Sequence, residues 1–412
     1  MAKRIAAIVF IYVCTVFAWI ILARTIDMRT EESQMRLGGK VSSSWGAPQE
    51  QHPPRASYHH LEKQTETVVT DGKKIETTKS VSVVYPLPLE SSKIDTRLDL
   101  EHRQKGLLWY STYRVKFDAT YAYRNSSNRE EPVDLAWDFP VAEAVYDDLQ
   151  FLVDGKPLET TNDKKGVYGS AVMQAGQTVS LRVSYHSQGE GSWRYHFGTD
   201  VSRVRDFTLS MHTNFKAIDF PENTLSPTQK RETADGWQLT WDYKNLISGF
   251  QIGMVLPEKL QPGPLAGQIS RFAPVSLLFF FFMLLIISTI RRIDLHPMNY
   301  FFLAAAFFAF HLLLAYLADH ISIHLAFAIC SAVSILLVVS YLRLVVGMRF
   351  AALEAGGAQF LYLVLFSYAF FFQGFTGLAV TIGAILSLFV VMQLTGRIKW
   401  GEVWSNGHSF DH

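Results

Sequence analysis

MNYFFLAAAFFAFHLLLAYLADHISIHLAFAICSAVSILLVVSYLRL, Met298–Leu344, holds two long apolar runs separated by one short polar handover. A helix rises about 1.5 Å per residue, so about 20 apolar residues cross a hydrocarbon core of about 30 Å. Met298–Ala318 and Ser322–Leu344 therefore read as a hairpin of membrane spans. Working outward, Pro274–Ile290 precedes them, while Ala358–Phe372 and Gly377–Leu394 follow, which makes a five-helix bundle over 272–400. At the other end of the chain Ile5–Ala23 is uncharged and longer than the apolar core of a signal peptide, so it reads as a sixth span that stays as an anchor.

The region between is of another kind. Short alternating runs separated by Gly, Pro, Asn and Asp point to an all-β, sandwich-like domain over 65–271. Trp109–Tyr123 alternates through Tyr113, Val115 and Phe117, and Gln177–Gly189 through Val179, Leu181, Val183 and Tyr185. Thr65–Tyr85 and Leu149–Leu158 carry Asp71-Gly72 and Asp154-Gly155, pairs suited to primed hairpin turns. Further strands are expected at Ser192–Phe197, Asp206–Thr213 and Gly236–Trp241. Residues 25–64 read as a polar linker, 1–24 as the cytoplasmic start and anchor, and 401–412 as a cytoplasmic tail.

Composition agrees with a membrane protein. Of 412 residues 49% are hydrophobic and 18% charged, and Lys+Arg at 38 against Asp+Glu at 37 leaves no basic field for nucleic acid. Cys14 and Cys330 both lie inside apolar runs, so no disulfide framework is expected. Lys3, Arg4, Arg291, Arg292, Arg343, Arg349, Arg397 and Lys399 all fall on one side of the alternating spans, and the short connections on the other side carry no Lys or Arg. By the positive-inside rule both chain ends are cytoplasmic and the β domain is outside.

Chemistry-bearing motifs are scarce. The sequence has no His-Glu-x-x-His, no Gly-Lys-Ser/Thr phosphate loop and no zinc-spaced cysteines, so no catalytic residue, cofactor or metal is assigned. His52, His59 and His60 offer metal-binding side chains in the linker but read first as surface histidines of a flexible segment, and Asn125-Ser126-Ser127 is formally a glycosylation sequon in a turn. The handover gathers Tyr316, Asp319, His320 and His324, either as a hydrogen-bonded clasp of the helical hairpin or as a site meeting the β domain, a lipid headgroup or a proton. His311 lies midway along a span, where an ionisable side chain is a candidate polar site. Ala326, Cys330, Ser334 and Ala379, Gly383, Ser387 form two small-residue ridges, expected to pack together or against a partner.

Four stretches resemble the CreD-like inner-membrane proteins of Gram-negative bacteria. Ser42–Gln49 (SSSWGAPQ) is similar to that family's Trp-Gly-Gly-Pro-Gln segment, with Ala47 for a glycine. Leu100–Tyr113 is similar to an Arg-x-Arg-Gly segment, with Lys105 for the second arginine. His296–Ile321 resembles a His-Pro-x-x-Tyr run ending in Ser-Glu-His, met here by Ala318-Asp319-His320, and Gly396–Trp400 resembles the closing Arg-Ile-x-Trp. The resemblance implies a multi-pass bacterial inner-membrane protein tied to envelope integrity and to cell-wall stress, β-lactams included, with no known reaction. Expected partners are membrane lipid and an envelope protein or the cell wall, in an oligomeric state the sequence leaves open. The alternative is a transporter or lipid-handling protein using the bundle around His311.

Overall fold

The computed structural model describes residues 2–70, 73–105, 108–142, 144–198, 202–372 and 374–396. The Asp71-Gly72 turn, Gly106, Gln373, the Arg397–Trp400 end of the closing motif and the 401–412 tail lie outside the described residues. The chain divides into a helical unit, residues up to Leu37 and from Leu260 on, and a β-rich unit, Gly38–Lys105 and Trp109–Lys259. The expected order of an N-terminal apolar helix, a large β-sheet region and C-terminal helices is the order observed.

The helices are α1 (Ala2–Trp45), α2 (Pro262–Ile290), α3 (Pro297–Leu317), α4 (Ile323–Val346), a fifth span over Phe350–Phe371 and a sixth over Thr376–Thr395. All six are long and apolar enough to cross a membrane. Three depart from the sequence reading. Where a polar linker is expected over 25–64, α1 continues to Trp45, and strands occupy Gln49–Gln51 and the chain from Arg55 on. Near its end the serines return their hydroxyls to the helix, Ser42 to Gly39 O and Ser43 and Ser44 to Lys40 O. Helix α2 begins at Pro262 and keeps Pro274, the expected first residue of the span, in its interior, where Tyr12 donates to the Pro274 carbonyl (3.0 Å). The fifth span begins at Phe350, before the expected Ala358, because Gly356-Gly357 is helical. A Cβ on Gly356 would lie 3.1 Å from Val339 Cγ2 of α4, so the glycine lets the two backbones approach.

The start of α3 explains one motif. His296 caps the helix, its Nδ1 accepting from Met298 N (3.2 Å), and Pro297 stands at the first turn, where a missing N–H costs nothing. Tyr300 is buried with its ring edge-on to Phe281, and Asn299 accepts from Tyr341 Oη of α4 (2.7 Å). His-Pro-x-x-Tyr is thus a helix-start signal.

The β-rich unit holds, in order, β1 (Gln49–Gln51), β2 (Arg55–Thr70), β3 (Lys73–Pro86), β4 (Leu89–Lys105), β5 (Leu108–Arg124), β6 (Glu131–Asp138), β7 (Asp147–Val153), β8 (Lys156–Pro157), β9 (Thr160–Asn162), β10 (Gly166–Met173), β11 (Thr178–Glu190), β12 (Ser192–Tyr195), β13 (Ser202–Thr213), β14 (Gln229–Glu232), β15 (Trp237–Ser248) and β16 (Ile252–Val255). They form an eight-stranded sheet in the order 14-15-13-4-5-11-7-8, a five-stranded sheet in the order 3-2-6-10-9 and a small sheet 1-12-16. The alternation read in the sequence becomes burial. Tyr113, Val115, Phe117 and Tyr121 of β5 and Val179, Leu181, Val183 and Tyr185 of β11 all face inward. The five-stranded sheet meets them through Trp137 of β6, whose ring lies 5.2 Å from Tyr185, so the two sheets share one core as the sandwich expectation requires. Asp154 (φ 49°) and Gly155 (φ 76°) both take positive φ between β7 and β8, the primed turn expected there.

Asn125 is not an available acceptor for sugar. It is fully buried, its amide donating to the carbonyls of Arg129, Met173 and Gln174 while its oxygen accepts from Ser127 N. Beyond Tyr58, β2 pairs among the described residues with β3 alone, which leaves a two-stranded ribbon running out to Thr70 and Lys73.

Candidate functional site

The handover begins where α3 ends. Ala318, Asp319 and His320 form a turn, so Tyr316, His320 and His324 do not share one helical face. Asp319 pairs with Arg29 of α1, and the same guanidinium lies 4.8 Å from the Tyr316 ring centroid. The geometry combines a charge-assisted hydrogen bond with a cation–π contact. His320 is exposed, and His324, at the start of α4, sits with its ring 5.1 Å from Phe371 of the fifth span. The structure therefore brings Tyr316 and Asp319 together around Arg29 and leaves the two histidines outside that group. Beside the pair a cavity of about 430 Å³ is lined by Ile26, Thr30, Arg36, Gly263, Ala315 and Ala318. Two basic and two acidic side chains, Arg29, Arg36, Glu32 and Asp319, border it.

Arg29 belongs to a set. Asp27 pairs with Arg271 of α2 (2.6 Å), and at the opposite end of the same helices Arg4 pairs with Asp294 (2.7 Å) and Arg291 with Glu354 (2.5 Å). From Arg4 to Arg29 helix α1 rises about 37 Å. That exceeds the hydrocarbon thickness of about 30 Å by enough to put the ion pairs in the two interfacial layers. Helix α1 is thereby fastened to the terminal helices at both ends of its apolar run.

Close approach comes from two glycines within 65–271, the range whose sequence points to the β domain. A Cβ on Gly263 would lie 2.5 Å from Thr30 Oγ1, and one on Gly267 would lie 2.7 Å from Asp27 Oδ1. Gly263-x-x-x-Gly267 is the α1–α2 packing ridge, and its spacing was visible in the sequence. The two ridges that were expected point at different neighbours. Ala326, Cys330 and Ser334 are buried on α4, where Ser334 donates to Ala306 O of α3 and accepts from Gln359 Nε2 of the fifth span, both at 2.8 Å. On the sixth span Ala379 is half-buried, Gly383 faces open space, and Ser387 returns its hydroxyl to Gly383 O (2.8 Å).

His311 is fully buried at mid-helix. Its Nδ1 bonds the Phe307 carbonyl (3.0 Å), and the rings of Trp19, Phe307 and Phe310 enclose it at centroid distances of 5.6, 5.8 and 4.9 Å. Nε2 has no hydrogen-bond partner among the described residues. An imidazole in an aromatic shell is built for packing more than for a polar path. His311→Phe is accordingly expected to fold with a stability within about 1.5 kcal/mol of the parent, the range of volume-conserving core changes. Thermal unfolding in detergent checks this, and a collapse of the folded state would give the imidazole an essential polar role.

In the β-rich unit two family-like motifs meet. Arg103 stacks on the Trp45 ring, 3.3 Å from guanidinium carbon to centroid, and pairs with Glu101 (2.7 Å). Gly46 takes φ +101°, and Gln49, fully buried, donates to Ser187 Oγ and Gln188 O at 3.0 Å each. Trp-Gly-Ala-Pro-Gln is thus the joint that turns a helix end into a strand. Just beyond it Glu50, His52 and His196 cluster. Burial first and the adjacent His52 second hold the His196 imidazole below its ordinary range, with Glu50 opposing. His59 instead lies 3.4 Å from Asp134, and His60 accepts from Arg129.

Residues 265–401 match the family model described as inner membrane protein CreD, the family to which the sequence resemblance points. No curated protein matches the chain. Among solved structures, a Legionella pneumophila protein described as nutrient binding aligns at 11% identity and TM-score 0.35, covering 57% of this chain and 76% of its own. An M1 zinc metallopeptidase of Deinococcus radiodurans aligns at 11% identity and TM-score 0.28, covering 41% of this chain and 42% of its own. The C-terminal helices over residues 265–401 are thus similar to the inner membrane protein CreD family, and the chain carries, among the described residues, six helices long and apolar enough to cross a membrane.

Proposed function

We propose that this chain is a non-catalytic inner-membrane protein that supports envelope integrity under cell-wall stress, β-lactams included. Its β-rich unit faces the periplasm and binds or senses a wall, lipid or protein partner, with both chain ends cytoplasmic and the helices as anchor. The observation that carries this reading is the family match over the helical unit, and the positive-inside distribution of Lys and Arg supports the orientation. The ion pairs that fasten α1 to the terminal helices suit an anchor that must keep its shape under load. The aromatic enclosure of His311 speaks against a transport path at that residue.

The test is complementation of a deletion strain challenged with a β-lactam, joined to crosslinking and pull-down from the stressed cells. Restored tolerance with a reproducible envelope partner supports the reading. Unchanged tolerance, or recovery of only the protein itself, sinks it.

Asp319→Ala should weaken the handover, whereas His320→Ala, at an exposed position, should not. The Arg29–Asp319 side chains are part-exposed (41% and 33%), so the expected coupling in a double-mutant cycle with Arg29→Ala is about 0.2–1 kcal/mol. Detergent unfolding measures it. Equal stability of all three variants and the parent would remove the pair from the architecture.

A further inference from the structure

The outward face of the small sheet carries a second constellation, which stands independently of the function proposed above. Strand β1 runs parallel to β12 with Glu50 opposite Arg194 and Gln51 opposite Tyr195. Strand alternation turns Gln49 and Gln51 into the core, where both are fully buried, and sends Glu50 and His52 to the other face. The same register continued by one residue sets His196 beside His52. Their rings lie 4.5 Å apart and 19° from parallel, and His196 Nε2 lies 3.6 Å from Glu50 Oε2. That Nε2 is shielded from solvent and has no hydrogen-bond partner among the described residues, a costly state for a buried imidazole nitrogen. The ligand atoms of all three side chains fall within 4.8 Å of one another.

The geometry points to a site for a divalent first-row transition metal ion, of which Zn²⁺ and Co²⁺ are the probes, held by Glu50, His52 and His196. Two imidazoles and one carboxylate suit such an ion and leave its remaining positions open to water or to a donor on a partner. The ligands stand on a strand pair whose backbone is held firmly. His196 N donates to Gln51 O (2.8 Å), and Tyr185 Oη donates to Gln51 Oε1 (2.8 Å). Arg194, on the same face, reaches toward Gln251 Oε1 (3.5 Å). His52 is half-buried and Glu50 exposed, so both side chains have room to turn toward an ion while the strand pair stays in place.

The purified full-length chain in detergent, with any affinity tag removed, is titrated with Co²⁺ by visible absorption and with Zn²⁺ against a chromophoric chelator. One saturable equivalent is expected, weakened by at least about tenfold in His196→Asn and in His52→Asn, the scale on which even outer-shell changes act. His59→Asn, at a histidine outside the cluster, should bind as the parent does. Should either ligand variant lose its folded circular dichroism signal, Glu50→Gln, at an exposed side chain, must still weaken binding. Absence of saturable binding, or equal binding by Glu50→Gln, the foldable histidine variants and the His59→Asn control, overturns the site.

Discussion

Gly46→Ala is expected to remove a large part of the stability of the β-rich unit. Gly46 sits at φ +101°, outside the range that L side chains ordinarily adopt, and an added Cβ would lie 2.2 Å from Gln188 O and 2.8 Å from Gln188 C. Both obstacles are backbone atoms of β11, which at Gln188 is paired with Arg114 of β5 and accepts from Gln49 Nε2, so neither swings away freely. Strain at such a backbone position costs about 1–3 kcal/mol. Forced displacement in a packed interior adds about 1–3 kcal/mol. Together they approach the lower end of the 5–15 kcal/mol that is typical of a whole domain. Gly155 provides the control, since it has φ +76° but open space around a Cβ. Urea unfolding followed by tryptophan fluorescence should show Gly46→Ala losing clearly more than Gly155→Ala. Equal losses would mean that the joint at Trp45–Gln49 yields, and that its close contact with β11 is dispensable.

Trp137→Ala is expected to cost about 3–5 kcal/mol, the range for truncating a fully buried aromatic side chain. The Trp137 ring is where the two large sheets meet, in contact with Phe139 at 5.4 Å, Tyr146 at 5.8 Å and Tyr185 at 5.2 Å. Its Nε1 makes no hydrogen bond among the described residues, so Trp137→Phe removes volume without stranding a partner and should cost less. The urea midpoint should fall in that order with little change in slope. A loss below about 1 kcal/mol for alanine would place the cohesion of the sandwich elsewhere.

The parts of this fold that the sequence exposes are those ruled by local periodicity. Strands β5 and β11 show one apolar face because each is buried on one side, and Asp154-Gly155 shows its turn because only a few residue types accept positive φ there. Strand β10 hides because Gly166 and Gly169 replace side chains where Trp137 O and Leu158 come within 2.2 and 2.5 Å of a would-be Cβ. The polar half of α1 hides because a solvated helix surface has the composition of a linker. At the handover the acid and the tyrosine were legible, but the partner Arg29 lies 290 residues away. The His52–His196 pairing needs a parallel register that no single segment encodes.

The ribbon of β2 and β3 beyond Tyr58 has a kinetic consequence. From Leu61 to Thr70 each strand has, among the described residues, one neighbour and an unpaired outer edge, and Leu61 remains 70% exposed. A lone pair of strands is marginal in water. It should open by local fluctuations that never unfold the sheets behind it. In deuterium exchange its amides should label early, while those of β5 wait for global opening. A ribbon as slow to label as β5 would reveal a partner strand already laid along its edge.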